Sequence, residues 1–141
     1  MKYVIDASIA EAWYSLNPAT SNAGRIRSAF LRGVHELIAP DVFPAECAEM
    51  LVHAELKGLL APGYSSINVR DLRMIDVPLH SSFPLLERAV AIALTTRVQL
   101  FHSLYIALAE REQCQLPTAD QRLLRAAHRH FNFVVPLTSI P

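Results

Sequence analysis

The feature that most restricts the fold of this sequence is an alternation between short apolar segments and longer segments with helical periodicity. The apolar segments cover residues 2–5, 37–39, 75–79, 115–117 and 132–135. A chain that returns to a sheet through helices forms βαβ units, so this pattern predicts a parallel sheet that helices cover on both faces. We therefore expect an α/β fold.

Helical spacing and end signals define the segments between these strands. Ser8 opens the first helix, with Glu11 at the spacing of a capping box, and Pro18 ends it. The other predicted helices cover residues 20–33, 44–57, 65–74, 84–97, 100–112 and 120–130, with Gly58 ending the second of these. The segment 100–112 is strongly apolar, and we expect Leu104, Ala107 and Leu108 to face inward.

Length and composition favour one folded domain over residues 1–141. Apolar residues make up 52% of the chain and charged residues 18%, which argues against disorder. No apolar run approaches the roughly 20 residues of a membrane span, and no secretory signal opens the chain, so we expect a cytoplasmic protein. Cys47 and Cys114 show no metal-binding spacing, and we expect both to be free thiols.

The charge is balanced, with 13 basic and 13 acidic residues, so any nucleic-acid binding must come from a local patch. Arg122, Arg125 and Arg129 are spaced to share one face of the last predicted helix, directly after Asp120. Two interpretations stay open. The arginines bind RNA phosphates, or they form a solvated helix face with favourable charges near its C-terminal end.

Three acids stand where a predicted strand ends or a helix begins: Asp6, Glu46 and Asp120. Each alone is equally well explained as a helix cap or as a charge near the positive end of a helix. However, the carboxyl ends of parallel strands share one edge, so Asp6 and Asp120 are expected to meet there. Converging carboxylates repel each other unless a cation binds them, and oxygen ligands favour Mg²⁺ or Mn²⁺.

Three segments, YVIDASI, PAECAEML and LYIALAEREQCQLPTADQRLLRAA, together resemble the PIN domain, and in particular the VapC-type toxins of bacteria. The Asp6-Ala-Ser8 opening and the Thr118-Ala-Asp120 motif are its most specific parts. The resemblance implies a three-layer α/β/α sandwich with a central parallel sheet. It also implies an Mg²⁺- or Mn²⁺-dependent endoribonuclease, with Asp6, Glu46 and Asp120 as the catalytic, metal-binding acids.

The resemblance further implies an RNA substrate, a homodimer, and a small antitoxin protein that lays a helix along a groove. The sequence gives one independent reason to expect a protein partner. The predicted helices around residues 44–60 and 63–74 carry more apolar residues than one sheet covers, which favours a homodimer or a groove for another helix.

The sequence departs from the family at His102, where the family usually has an aspartate, and at Glu49, where it often has asparagine. His102 ligates the metal, favouring Mn²⁺, or begins a helix without a ligand role, or marks a weakened nuclease. Glu49 either restores the missing charge or faces solvent. Ser8 and Thr118 match polar positions of the family site, where their hydroxyls orient a carboxylate or hold a water; capping and a strand end are the alternatives.

Two other functions stay open. A catalytically weakened or inactive PIN-like domain would bind RNA or a protein, and His102 is the main argument for it. Another doubly wound protein, such as a phosphotransfer receiver or an aspartyl-phosphate phosphatase, is disfavoured. A receiver needs an acidic pair in the first strand, and the phosphatase needs a second aspartate where Ser8 stands.

Overall fold

The computed structural model describes residues 1–14 and 20–141, which form an α/β fold that is mostly helical. The strands are short and parallel: β1 (Lys2–Val4), β2 (Glu36–Pro40), β3 (Leu79–His80), β4 (Leu116–Thr118) and β5 (Val134–Pro136). Seven α-helices lie in the described part of the chain: α1 (Ala7–Tyr14), α2 (Thr20–Leu31), α3 (Phe43–Leu56), α4 (Tyr64–Ile75), α5 (Leu86–Thr96), α6 (Leu100–Glu112) and α7 (Gln121–Ala127).

The strands form two hydrogen-bonded groups, β1-β2-β3 and β4-β5. A parallel bridge between Tyr3 and Gln115 joins the groups, and the amide of Val4 donates to the carbonyl of Gln115 at 3.0 Å. The spatial order is therefore β3-β2-β1-β4-β5. From β1 the chain adds β2 and β3 on one side of the sheet, and it then adds β4 and β5 on the other side, so the strand order switches between β1 and β4. In such sheets, binding clefts form beyond the carboxyl ends of the strands at this switch point.

Helix α6 lies in the core. Seven consecutive residues, 103–109, are buried, so the helix is covered on all sides along this stretch. It packs mainly against α5 and also contacts β1, β2 and β4. Because the core fixes α6, the side chains of its first two turns are held in a defined position near the carboxyl ends of β1 and β4.

The predicted elements agree with the structure in most cases. The predicted bounds of α6 are confirmed, and those of α2, α3 and α4 are confirmed to within two residues. The strand predicted over 75–79 is wrong in extent, because Ile75 still belongs to α4. The last helix ends at Ala127 and does not reach His130. The prediction that Pro18 ends the first helix lies outside the described residues.

The structure also bears on the two cysteines and on the question of membrane-spanning helices. Cys47 and Cys114 are free, as predicted, with Cys47 buried. In the described ranges no single helix is long and apolar enough to cross a membrane, although the segment Phe83–Thr96 and α6, bent by 114° at their junction, pass that test together.

Candidate active-site cleft

A cleft of about 280 Å³ lies beyond the carboxyl ends of β1, β2 and β4. Asp6 follows β1, Glu46 lies in the first turn of α3 after β2, and Asp120 follows β4. All of the residues proposed as metal ligands from the sequence line this cleft. The full lining is Asp6, Ala7, Ser8, Glu46, Glu49, Met50, His102, Tyr105 and Asp120.

Asp6 is the most constrained acid of the cleft, with only 3% of its surface exposed. Its Oδ1 accepts hydrogen bonds from the amides of Ser8 and Ile9, at 3.1 and 3.4 Å, and from the Ser8 hydroxyl at 2.5 Å. Its Oδ2 accepts from the Thr118 hydroxyl at 2.6 Å. Burial raises the pKa of Asp6, while the hydrogen bonds from Ser8 and Thr118 act against that rise.

These contacts correct the predicted start of the first helix. Helix α1 begins at Ala7, and Asp6 accepts the amide hydrogen bonds that a capping residue accepts. The capping box of Ser8 and Glu11 is therefore wrong. The Ser8 side chain is directed to Asp6 instead, because its hydroxyl donates to that carboxylate.

Ser8 and Thr118 connect the end of β1 to the end of β4. The Ser8 hydroxyl accepts from the amide of Ala119 at 3.0 Å, and the Thr118 hydroxyl accepts from the amide of Asp120 at 3.0 Å. Each hydroxyl therefore accepts a hydrogen bond from an amide just after β4 while it donates to Asp6, which follows β1. The pair fixes the orientation of a buried carboxylate, as side chains behind a metal ligand commonly do.

Glu46 and Asp120 each use one carboxylate oxygen in a structural contact. Oε1 of Glu46 accepts from the Tyr105 hydroxyl at 2.6 Å. Oδ1 of Asp120 accepts from the amides of Arg122 and Leu123, at 2.9 and 3.1 Å, and so caps α7. The second oxygens, Oε2 of Glu46 and Oδ2 of Asp120, make no hydrogen bond with a described residue and are free to accept another ligand.

His102 lies in the first turn of α6, and its Nδ1 is buried without a hydrogen-bond partner among the described residues. An unsatisfied buried polar group costs about 1–3 kcal/mol, so this nitrogen calls for a water, an ion or a ligand group. Glu49 differs from it: its side chain is exposed, and its Oε1 lies 2.6 Å from Nε2 of His53 along α3.

The donor set of the cleft fits a divalent cation in its chemistry. Glu46 and Asp120, each with a free carboxylate oxygen, and His102, with an unpartnered ring nitrogen, are residues that line the same space as Asp6. Mn²⁺ accepts both kinds of donor. In the described ranges, however, no three His, Cys, Asp or Glu side chains are grouped closely enough to hold one ion. Binding therefore requires these side chains to move closer together.

Tyr105 is a site residue that the sequence did not single out. It is 1% exposed, and burial together with its hydrogen bond to Glu46 raises the pKa of its hydroxyl well above the ordinary value, so the hydroxyl remains a donor. Its position three residues after His102 was the available signal, since such residues share one helix face.

The predicted arginine stripe is only partly retained. Arg122 lies in the first turn of α7, and Arg125 lies in its last turn. Arg129 follows the end of α7 at Ala127, so the three residues do not share one helix face as predicted. Their predicted role in RNA binding stays a prediction.

Replacing Tyr105 by phenylalanine should lower the free energy of unfolding by about 1–2 kcal/mol, because a charged acceptor loses its donor. Chemical denaturation measures this change. Tyr3→Phe is the matched control, since the Tyr3 hydroxyl makes no hydrogen bond with a described residue and Tyr3 lies outside the cleft. Equal destabilisation by both variants would contradict a specific role for the bond between Tyr105 and Glu46.

No protein-family model matches the sequence, and no curated protein matches it. Among solved structures, the chain is similar to the crystal structure of PAE2754 from Pyrobaculum aerophilum, with a TM-score of 0.70 and 17% sequence identity. The match covers 99% of this chain and 94% of that chain. At this identity the likeness shows a shared fold and nothing about activity.

Proposed function

We propose that this protein is a divalent-metal-dependent endoribonuclease that hydrolyses phosphodiester bonds of RNA, and that its fold is a PIN-like three-layer α/β/α sandwich. One observation carries the proposal. The acids that follow three neighbouring parallel strands, Asp6, Glu46 and Asp120, line one cleft together with His102. These carboxylates have free oxygens and few positively charged side chains beside them. Such a group of acids is suited to hold a metal ion, which offsets the repulsion between the carboxylates.

The residues of the cleft have separate tasks in this reaction. A phosphodiester under attack gathers negative charge on its oxygens, and bound Mg²⁺ or Mn²⁺ would stabilise that charge and acidify the attacking water. Asp6 is the central ligand, because four donors fix its carboxylate. Glu46 and Asp120 contribute their free oxygens. Tyr105 holds the Glu46 carboxylate in place.

The biological role that we propose is that of the toxin in a toxin-antitoxin pair, acting in the cytoplasm and leaving 5′-phosphate and 3′-hydroxyl ends. A protein partner is supported by apolar side chains that remain exposed on α3 and α4: Val52, Leu56, Ile67, Val69 and Met74. Such a surface fits a homodimer interface or a helix of a small antitoxin.

A second candidate is a catalytically weakened PIN-like domain that binds RNA or a protein. Two observations favour it: His102 stands in the cleft where the family usually has an aspartate, and the described acids are not grouped at coordinating distance. Isothermal titration with Mn²⁺ separates the two candidates. The nuclease requires a measurable binding heat that disappears in Asp6→Asn, whereas a weakened domain shows no binding.

We expect the purified protein to cut single-stranded or structured RNA in Mn²⁺ or Mg²⁺, and to stop when a chelator is added, because the acids alone do not stabilise the reacting phosphate. Gel analysis of labelled RNA measures cleavage, and readdition of metal after chelation controls for loss of the protein. Cleavage that continues in the chelator would show that the proposed nuclease mechanism is wrong.

A further inference from the structure

A second cleft of about 320 Å³ adjoins the acid cleft. The two clefts share His102 and Asp120, which therefore form a common wall. The remaining lining comes from the turn between α5 and α6 and from α7: Arg97, Val98, Gln99, Arg122, Leu123 and Ala126. The charge of the second cleft differs from that of the acid cleft, because its lining includes two arginines and, apart from the shared Asp120, no acid.

Both arginines of the second cleft are exposed and lack an acidic partner among the described residues. Some arginines of the protein are paired, since Arg27 lies 2.9 Å from Asp71 and Arg88 lies 2.7 Å from Glu110, whereas Arg97 and Arg122 combine an unpaired guanidinium with a place beside the acid cleft. An unpaired guanidinium keeps its donors free for a phosphate, which it binds through two parallel hydrogen bonds.

The backbone of the same cleft adds to this positive character. Gln99 is the residue that precedes α6, and no side chain caps the helix there. The first amides of a helix lack internal partners and carry a partial positive charge. Gln99 and His102, which flank these amides in sequence, both line the second cleft.

We propose that the second cleft binds the backbone phosphate next to the one that is cut, with Arg97 and Arg122 as its ligands. This inference rests on the proposed function, because the acid cleft defines which phosphate is cut. Because the two clefts share His102 and Asp120 as a wall, we assign consecutive phosphates of one strand to them. The substrate is therefore RNA that extends by at least one phosphate beyond the scissile bond on one side.

Cleavage of short substrates tests the subsite. The wild type should cut a trinucleotide with two phosphodiesters at a KM about tenfold lower than a dinucleotide with one, since a charge-assisted phosphate contact contributes about 1.4 kcal/mol, a factor of ten. The double variant Arg97→Gln, Arg122→Gln should lose this preference through a higher KM for the trinucleotide, so that its KM values for the two substrates become equal. An equal KM for both substrates in the wild type would overturn the proposal.

Binding in the presence of a chelator tests the same subsite without cleavage. Fluorescence anisotropy of a labelled single-stranded RNA octamer gives Kd at several salt concentrations. The double variant should bind about tenfold more weakly, and the slope of log affinity against log salt should fall by about 0.7, the value for one phosphate on a single strand. Unchanged affinity and slope in the double variant would overturn the proposal.

A matched control separates the subsite from general charge. The double variant Arg25→Gln, Arg32→Gln removes the same charge from two exposed residues that line a shallow groove beside His35, at the amino end of β2. It should bind RNA as the wild type does, and an equal loss in this control would overturn the proposal. A protein that binds the octamer through Arg97 and Arg122 but never cuts RNA would retain the phosphate site and lose the nuclease assignment.

Discussion

Replacing Asp6 by asparagine should reduce the rate of RNA cleavage about a hundredfold or more. Mutation of a residue that only hydrogen-bonds a metal ligand lowers metal affinity or activity about 10–100-fold, and loss of a central ligand should lower activity at least as much. The asparagine amide carries no charge, so it binds a divalent cation far more weakly than a carboxylate does. The loss should appear in both Mn²⁺ and Mg²⁺.

The same substitution should leave the metal-free protein at least as stable as the wild type. An asparagine oxygen at the Oδ1 position accepts the hydrogen bonds from Ser8 and Ile9 that Asp6 accepts now. The Thr118 hydroxyl, which now donates to Oδ2, can rotate and accept from the new amide group. The network keeps its bonds while a nearly buried charge is removed, and removing such a charge favours the folded state.

Thermal unfolding with chelator and with Mn²⁺ measures both effects. In the chelator the melting temperature of Asp6→Asn should equal or exceed that of the wild type, and Mn²⁺ should raise it only in the wild type, since a ligand stabilises the state that binds it. Asp41→Asn is the matched control. Asp41 follows β2 at the same sheet edge and accepts from Ser82, but it does not line the cleft.

The control should retain both cleavage and the Mn²⁺-induced rise in melting temperature. If Asp41→Asn lost activity to the same extent, the effect would reflect the sheet edge in general. If Asp6→Asn melted well below the wild type in the chelator, Asp6 would have to be regarded as a structural residue that holds β1 to β4 through Thr118.

The convergence of the acids could be predicted because it depends on topology. Parallel strands place their carboxyl ends at one edge, and the positions of Asp6 and Asp120 directly after two strands are readable in the sequence. The structure places both residues, with Glu46, along one cleft. Helix α6 was equally predictable, since its apolar residues continue without a break from Leu104 to Ala109.

The contacts within the site were less accessible, because they depend on side chains that lie far apart in sequence. The capping prediction for Ser8 failed because Asp6, two residues earlier, accepts the capping hydrogen bonds and the Ser8 hydroxyl itself. The second contact of that hydroxyl, with the amide of Ala119, joins residues 111 positions apart and could not be read from the local sequence. Tyr105 was missed for a related reason. Its apolar ring fits the pattern of a core helix, and only its hydroxyl, which reaches Glu46, belongs to the site.

Helix ends were predicted least well where the last turns lack strong signals. Neither glycine nor proline follows Ala127, so the sequence did not indicate that α7 ends there. The early end moves Arg129 off the helix that carries Arg122. The arginine that lines the second cleft together with Arg122 is Arg97, from the turn before α6, and neither Arg125 nor Arg129 is part of that lining.

Replacing His102 by aspartate should raise cleavage in Mg²⁺ on the order of tenfold and shift the ratio of Mg²⁺ to Mn²⁺ activity by at least that factor, because Mg²⁺ prefers oxygen ligands and one added charge at partly buried distance is worth more than 1.4 kcal/mol. The new carboxylate would lie in the first turn of α6, where an anion is also favoured by the helix dipole.

His102→Asn is the control that separates charge from ligand type. It offers an oxygen near the position of the unpartnered Nδ1 without adding a charge, so it should not reach the Mg²⁺ activity of the aspartate variant. Initial cleavage rates in each metal, with titration calorimetry for affinity, give the two quantities for the wild type and both variants.

In the chelator the aspartate variant should be less stable than the wild type, since a further carboxylate joins Asp6, Glu46 and Asp120 around one cleft without a cation to offset their repulsion. Added Mg²⁺ should restore its melting temperature to that of the wild type or above. A melting temperature that falls in the chelator and rises with Mg²⁺ would show that the carboxylate at position 102 lies next to the bound ion. An unchanged metal ratio and melting temperature in His102→Asp would place His102 outside the metal site and would favour the weakened, RNA- or protein-binding domain as the function.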